Sequence, residues 1–541
     1  MRRCVRPLIP CLLAGVLTVA APAPSALAAS TFVMGAQGEP VCLDPAIITD
    51  GISGKVTNQI FEGLTKYKGA TTEVVPALAE RWEVSADGTV WTFTLRKNAK
   101  FHDGTPFDAK AVVWNFERWR FTKHPQHENQ LKAGQTFEYY EGQFGGFDDQ
   151  SLITKVEAVN PATVRFTLKD PQGPFLANLA MFTFVLASPA AIEKWGTESC
   201  KHPVGTGPFR FVEWKPNQEV ILEANPAYRD KPAAAKVQRV VIRNIKDSSQ
   251  RLAALKAGEI HGMEGLNPDD VRVVRADPNL QILLRPTNTT GYVAFNYKVK
   301  EFQDKRVRMA VAHAINKQGI VSALYGGTGL AANQFQPPPL WGYNKELKDS
   351  PYSGDRARAL LREAGFAQGL QEITWEDGRK EPLAFWYMPV SRPYYPNPKE
   401  IAEAIAADLA KAGITVKLQT IDWSAYLDKR KKGELPLYML GWTGDNGDPD
   451  NFVCYFFCSP GASREGFYSN KDLAEVLLQA QRLTDQGKRA ALYRKAEQMI
   501  HDDVARIFIA NNQPPLAFSK KVKGYVPNPT NTEYFNTVQV E

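Results

Sequence analysis

The sequence predicts an α/β protein of two or three domains in which helices pack against sheets. Three observations carry this. The chain has 541 residues, whereas a single hydrophobic core stops growing near about 250–300 residues. Short β-rich runs with two-residue alternation recur between stretches with helical spacing along the whole chain. In the second half, helix, glycine and strand follow one another directly, the pattern of helices laid against a sheet. No segment reads as a linker, so the domains should share broad or multiple chain crossings.

Residues 1–28 come first. Arg2, Arg3 and Arg6 precede an apolar stretch from Leu8 to Ala21, and the small residues Ala26 and Ala28 follow. This is the three-part pattern of a secretory signal with cleavage near Ala28. Cys11 precedes most of the apolar stretch, so it does not fit a lipid-attachment site. Further on, Thr89–Leu95 alternates as a strand after the turn Ala86-Asp87-Gly88, and Asp108 caps a helix through Ala111, Val112, Asn115 and Phe116. The apolar run Phe175–Pro189, broken by Asn178 and Thr183, reads as core, being too short to span a bilayer. Strands are predicted at Thr163–Leu168, Val237–Arg243 and Leu280–Leu284, with a helix at Ser248–Ala257 closed by Gly258. Helices follow at Arg306–Asn316, at Asp355–Ala364 before Gly365, and at Lys399–Ala412 before Gly413. A strand Ile414–Thr420, a buried strand Pro436–Trp442 and a helical pair Leu473–Leu483 and Arg489–Asp502 complete the order.

Charge and cysteines narrow the class. The net charge is +7. Without Arg2, Arg3 and Arg6 there remain 62 basic against 58 acidic groups, no electrostatic footprint for nucleic acid. Four cysteines lie beyond Ala28, fitting an oxidising compartment. The favoured pairing is Cys42–Cys200, stapling the N-terminal segment to a later crossing, with Cys454–Cys458, close in sequence; free thiols are the alternative. Catalytic motifs are absent: no HExxH, GxSxG, P-loop or GxGxxG occurs. His124 and His127 alone have tight metal spacing, and they read as solvated surface in a polar loop. Gly205-Thr206-Gly207 is followed by Pro208, which removes an N–H donor, so it reads as a turn into a strand. Trp82, Trp91, Trp114 and His102 read as core or surface.

Two segments stand out. Residues 441–452 (GWTGDNGDPDNF) place Asp445, Asp448 and Asp450 in a Gly/Asn-rich loop straight after a buried strand. This fits calcium only poorly, since the EF-hand spacing fails; a self-capping polar turn and a ligand site at a strand end are the other readings. Residues 388–397 (MPVSRPYYPN) fix Arg392 and Tyr394 between prolines, a setting suited to bidentate capture of a carboxylate.

With 71–118, 203–214, 251–260, 304–317 and 338–344, these two segments make the chain from about Thr31 to Glu541 resemble the periplasmic dipeptide- and oligopeptide-binding proteins of ABC importers, family 5 of the solute-binding proteins, on its dipeptide branch. The resemblance implies a periplasmic-binding-protein-like α/β fold: two α/β lobes around a cleft plus an inserted third domain. Lobe I would hold 29–62, 200–288 and 512–541, the inserted domain 63–199, and lobe II 289–511. It implies that Asp445 takes a peptide's free amine and Arg392 its carboxylate. Gly441, Trp442 and Thr443 of the strand and the loop at Gly51 would bond the peptide backbone or wall it, and Tyr394 would line the pocket. For Trp442 and Tyr394 plain packing is the competing reading. The partners implied are a dipeptide or short peptide and an inner-membrane ABC permease; no cofactor, no metal, no nucleic acid and no enzymatic activity are expected, and the protein would act as a periplasmic monomer. A related binding protein for haem, a metal chelate or an opine is the alternative. The stretch Gln371–Pro382 reads as a longer hairpin able to reshape the cleft entrance.

Overall fold

The computed structural model describes residues 30–458 and 465–541, and no helix there is long and apolar enough to cross a membrane. The expected signal segment 1–28, with Cys11, lies outside the described residues. Two large mixed sheets and one antiparallel sheet organise the rest. In the first, seven strands run in the order Leu280–Leu284, Pro515–Ser519, Gly262–Met263, Thr31–Ala36, Arg239–Asn244, Glu219–Ala224 and Phe209–Lys215. The central strand Thr31–Ala36 lies parallel to both neighbours. It is an almost unbroken buried run, as expected of a strand covered on both faces. Alternate residues feed opposite cores: Phe32 and Met34 join Val240 and Ile242 in one, while Val33 joins Val241 and Leu252 in the other.

The second sheet orders Gly329–Ala331, Arg506–Asn512, Thr289–Phe295, Leu437–Thr443, Ala384–Trp386 and Lys417–Gln419. Its central strand Thr289–Phe295 is buried throughout and antiparallel to both neighbours. The chain crosses between the two sheets twice, through 285–288 and 513–514, and the Arg285 N–H donates to the Pro514 carbonyl at 3.1 Å. The third sheet is an antiparallel unit of Ala79–Val84, Val90–Leu95, Thr163–Leu168 and Ile153–Asn160, covered by the helix Ala109–Arg120. Asp108 caps that helix as expected, accepting from the Lys110 and Ala111 N–H groups.

Both favoured disulfides are formed, Cys42–Cys200 and Cys454–Cys458. Beside the first, the Leu43 N–H donates to the Cys200 carbonyl, so the segment after the first strand is stapled to the short helical turn Gly196–Lys201. The hairpin Glu372–Thr374 with Lys380–Pro382 exists and is held by Glu301 and the Lys298 carbonyl.

Two expectations are corrected. Ile414–Thr420 is not one strand: only Lys417–Gln419 pairs, and Ile414 forms a lone bridge with Leu370. Nor do His124 and His127 sit in a solvated loop. His124 caps the helix Pro125–Lys132, and His127 is buried, bonded to the Arg118 carbonyl and stacked on Phe137. The rings that bury it, Phe137 and Phe147, lie just beyond the polar stretch, ten and twenty positions on, so local polarity misled.

Candidate ligand-binding site

The strand Leu437–Thr443 is buried as far as Gly441 and then opens into the loop that carries three aspartates. Their surroundings differ. Asp448 makes two bonds of 2.8 Å to Arg489, with both side chains no more than 5% exposed. Asp450 accepts from Gln481 at 3.1 Å and Tyr493 at 3.2 Å, and burial beside Asp448 pushes its carboxyl up to about 6. Both are internal struts, as the polar-turn reading had it for this loop. Among the described residues no group of His, Cys, Asp and Glu could hold a metal ion.

Asp445 is different. Among the described residues no cationic group comes within ion-pair distance of it. Its Oδ1 accepts from the Tyr139 hydroxyl at 3.1 Å and its Oδ2 from Asn451 Nδ2 at 3.3 Å. Burial pushes its carboxyl above the usual range, and those two donors work against that rise. Asn451 Oδ1 also accepts from the Asp445 N–H and from Trp442 Nε1, each at 2.9 Å. The Trp442 indole stacks on Tyr455, with centroids 4.6 Å apart. Next to it Thr443 is exposed, paired in register with Thr289.

Arg392 opens a tight turn whose ends are closed reciprocally, Arg392 N–H to Tyr395 O and Tyr395 N–H to Arg392 O, both 3.0 Å. The turn is anchored by Asn512 donating to the Pro393 carbonyl and Tyr325 donating to the Tyr394 carbonyl. The guanidinium lies over the Trp423 ring at 4.5 Å, and its Nε is buried without a hydrogen-bond acceptor. Among the described residues no carboxylate pairs with it. The Tyr394 ring lies on Gly441, where an added Cβ would come within 2.3 Å of it; only glycine permits that approach. Tyr394 is therefore packed as well as placed, and the Arg392 cation is close enough to act on its phenol.

Strand pairing leaves one backbone edge open. Ala384–Trp386 pairs with Leu437 and Tyr438 only, and the Met439 carbonyl accepts from the Tyr426 hydroxyl at 2.6 Å, so from Leu440 to Thr443 no strand of the described residues follows on that side. Gly441, Trp442, Thr443, Asp445, Arg392 and Tyr394 thus gather at one end of the second sheet. Gly51 does not join them directly. It is the first residue of the helix Gly51–Ile60, capped by Asp50, rather than part of a loop. Its link to the others runs through Tyr139, whose phenol feels both Asp50 and Asp445.

The sequence reading missed Tyr139 and Asn451. Asn451, six residues after Asp445 and in the first turn of the helix Asp450–Phe457, left a signal as a capping-type side chain; Tyr139, more than 300 positions away, left none. A cavity of about 470 Å³ lined by Glu62, Tyr67, Tyr228, Val526 and Tyr534 lies elsewhere. It contains none of these residues, and its Glu62 is already paired with Arg229.

The family model "Bacterial extracellular solute-binding proteins, family 5 Middle" matches residues 73–464. The chain is 35% identical over 543 residues to the dipeptide-binding protein of Escherichia coli K12, covering 97% of this chain and 98% of that one. It is 35% identical over 526 residues to heme-binding protein A of Haemophilus influenzae, covering 95% and 92%. The solved structure of HbpA2 from Haemophilus parasuis overlays with a TM-score of 0.85 at 32% identity, covering 94% of this chain and all of that one. A match this long, carried by sequence and by fold alike, means that the chain belongs to the family 5 bacterial extracellular solute-binding proteins.

Proposed function

We propose that the protein is the exported solute-binding component of an ABC importer, working as a periplasmic monomer once the segment up to Ala28 is removed, and that its ligand is a dipeptide or short peptide. The ligand lies between lobe I (29–62, 200–288, 512–541) with its inserted domain (63–199) and lobe II (289–511), and an inner-membrane permease receives it. One observation carries this reading. Two opposite charges at one end of the second sheet, Asp445 and Arg392, each lack a protein counter-ion among the described residues, while charged neighbours such as Asp448 and Arg489 are paired. A buried charge without a partner is costly, and a zwitterion supplies both missing partners at once. Leu440–Thr443 offers backbone groups to a peptide of any side chains. Gly51 would take part only through the N-terminal end of its helix in the first lobe, and Trp442 and Tyr394 wall the site.

Titration calorimetry with a free dipeptide, its N-acetyl derivative and its C-terminal amide tests this. Capping either end should weaken binding, and Asp445→Asn and Arg392→Ala should each cost about 2 kcal/mol or more, as truncating one partner of a buried charge pair does. Unchanged affinity in both variants overturns the assignment. The similarity to heme-binding protein A makes haem the second ligand to titrate. Four histidines are committed elsewhere: His102 to the Gly207 carbonyl, His127 to Arg118, His261 to the Val33 N–H and His313 to the Pro351 carbonyl.

A further inference from the structure

Asp445 is held by two neutral donors that reach it from different parts of the chain. Tyr139 comes from the helix Glu138–Phe144 of the inserted unit, and its ring is set edge-on against Phe182, itself packed on Gly54 of the helix Gly51–Ile60. Asn451 comes from the first turn of the helix Asp450–Phe457 and is only 7% exposed. Its one amide fixes the Asp445 backbone, the Asp445 carboxylate and the Trp442 indole together.

We propose that Asn451 and Tyr139 are positioning residues for Asp445, holding its carboxylate aimed and stabilised without neutralising it, so that the ammonium group of the ligand is its one cation. This rests on the dipeptide reading for the identity of that ammonium, but the hold on the carboxylate exists without ligand. A lysine or arginine in their place would have to be displaced by every incoming amine. Neutral donors need not leave, since a carboxylate has about four acceptor positions and two remain open. The groups facing the site act on Asp445 in opposite directions. Burial and the nearby Glu138 raise the Asp445 carboxyl, and the two donors lower it. Burial, Asp445, Glu138 and Asp50 all raise the Tyr139 phenol, which keeps its proton and remains a donor. Losing either donor therefore lets Asp445 take up a proton at higher pH, and a protonated Asp445 no longer attracts an amine.

The test uses the ligand-free full-length protein labelled with ¹³C at the aspartate carboxyls, with Asp445 assigned by its disappearance in Asp445→Asn. Tyr139→Phe and Asn451→Asp should both move the Asp445 titration to higher pH. The shift should be larger for Asn451→Asp, which keeps an acceptor for Trp442 and the Asp445 N–H but replaces the donor by a second negative charge. Calorimetry at the acid end should show roughly 10-fold weaker binding of a free-amine dipeptide, recovery in Tyr139→Phe as pH rises, and no change for the N-acetyl derivative. An unmoved Asp445 titration in both variants overturns the proposal. So does a pH-independent loss shared equally by the N-acetyl peptide, which marks the two residues as packing. If the wild type binds no dipeptide, the ligand reading fails, and the carboxyl titration still decides the positioning role.

Discussion

Asp445, Asp448 and Asp450 sit within six positions of one another, and their neighbours assign them different work. Asp448 neutralises the buried Arg489, so Asp448→Asn should cost about 3–5 kcal/mol of stability by stranding that guanidinium. Asp445 has no such partner among the described residues, so its half-buried charge weakens the ligand-free fold. Asp445→Asn should leave stability to urea unchanged or raised while abolishing tight ligand binding. The pH dependence has the same origin. The Asp450 carboxyl is raised to about 6 from its usual value, so the folded state binds that proton more tightly than the unfolded chain. The stabilisation is complete below the unfolded value near 4 and is lost as pH rises through about 6. Urea midpoints between pH 4 and 8 should decline over that range, and Asp450→Asn should flatten the decline. None of this division was legible in the sequence, where the three aspartates look alike; only the RPY turn and the TGD segment, through family resemblance, separated Asp445 and Arg392 from the rest.

Elements were legible where their signals are local. Asp108 caps its helix, and the helix Ser248–Ala257 ends at Gly258 in a left-handed conformation, as its sequence reads. Signals failed where tertiary partners decide. His127 faces an apolar ring that the local pattern does not announce, and Lys417–Gln419 is shorter than its apolar alternation because the strand it pairs with, Ala384–Trp386, is three residues long. The helix Asp450–Phe457 joins several parts of the site: Asn451 holds Asp445, Tyr455 stacks on Trp442, and Cys454–Cys458 closes its last turn. The two disulfides should differ in effect. Chain-entropy arguments give about 5 kcal/mol for the 158-residue separation of Cys42–Cys200 and about 2 kcal/mol for the four-residue separation of Cys454–Cys458. Replacing Cys42 and Cys200 by serine should therefore lower the urea midpoint the more. Replacing Cys454 and Cys458 should cost less stability yet still weaken dipeptide binding, because the loosened turn carries Tyr455.

At the scale of the whole molecule, the strand order of the first sheet joins residues 31–36, 239–244, 262–263 and 515–519. No local periodicity encodes such pairings, and that is why the sheet order was not legible in the sequence. The two chain crossings meet beside a buried, charge-balanced cluster. Lys55 bonds Glu264, and Arg285 pairs with Glu533 at 2.6 Å. The cluster ties the helix that starts at Gly51 to the crossing at Arg285. The loop 444–448 in turn meets three residues that come much earlier in the chain: Tyr139 bonds Asp445, Asn178 accepts from Asn446 at 2.7 Å, and Thr72 covers Gly447. A Cβ on Gly447 would lie 2.2 Å from the Thr72 Cβ and 3.0 Å from its carbonyl oxygen. Gly447→Ala should therefore obstruct this contact without touching the hydrophobic cores. Overpacking of this kind costs about 1–3 kcal/mol, and the contact is present without ligand, so Gly447→Ala should lower the ligand-free melting temperature and, by loosening the loop that carries Asp445, weaken dipeptide binding about 10-fold. Thr72→Gly in the same chain should restore both melting temperature and affinity by removing the side-chain atoms that the added methyl group would strike.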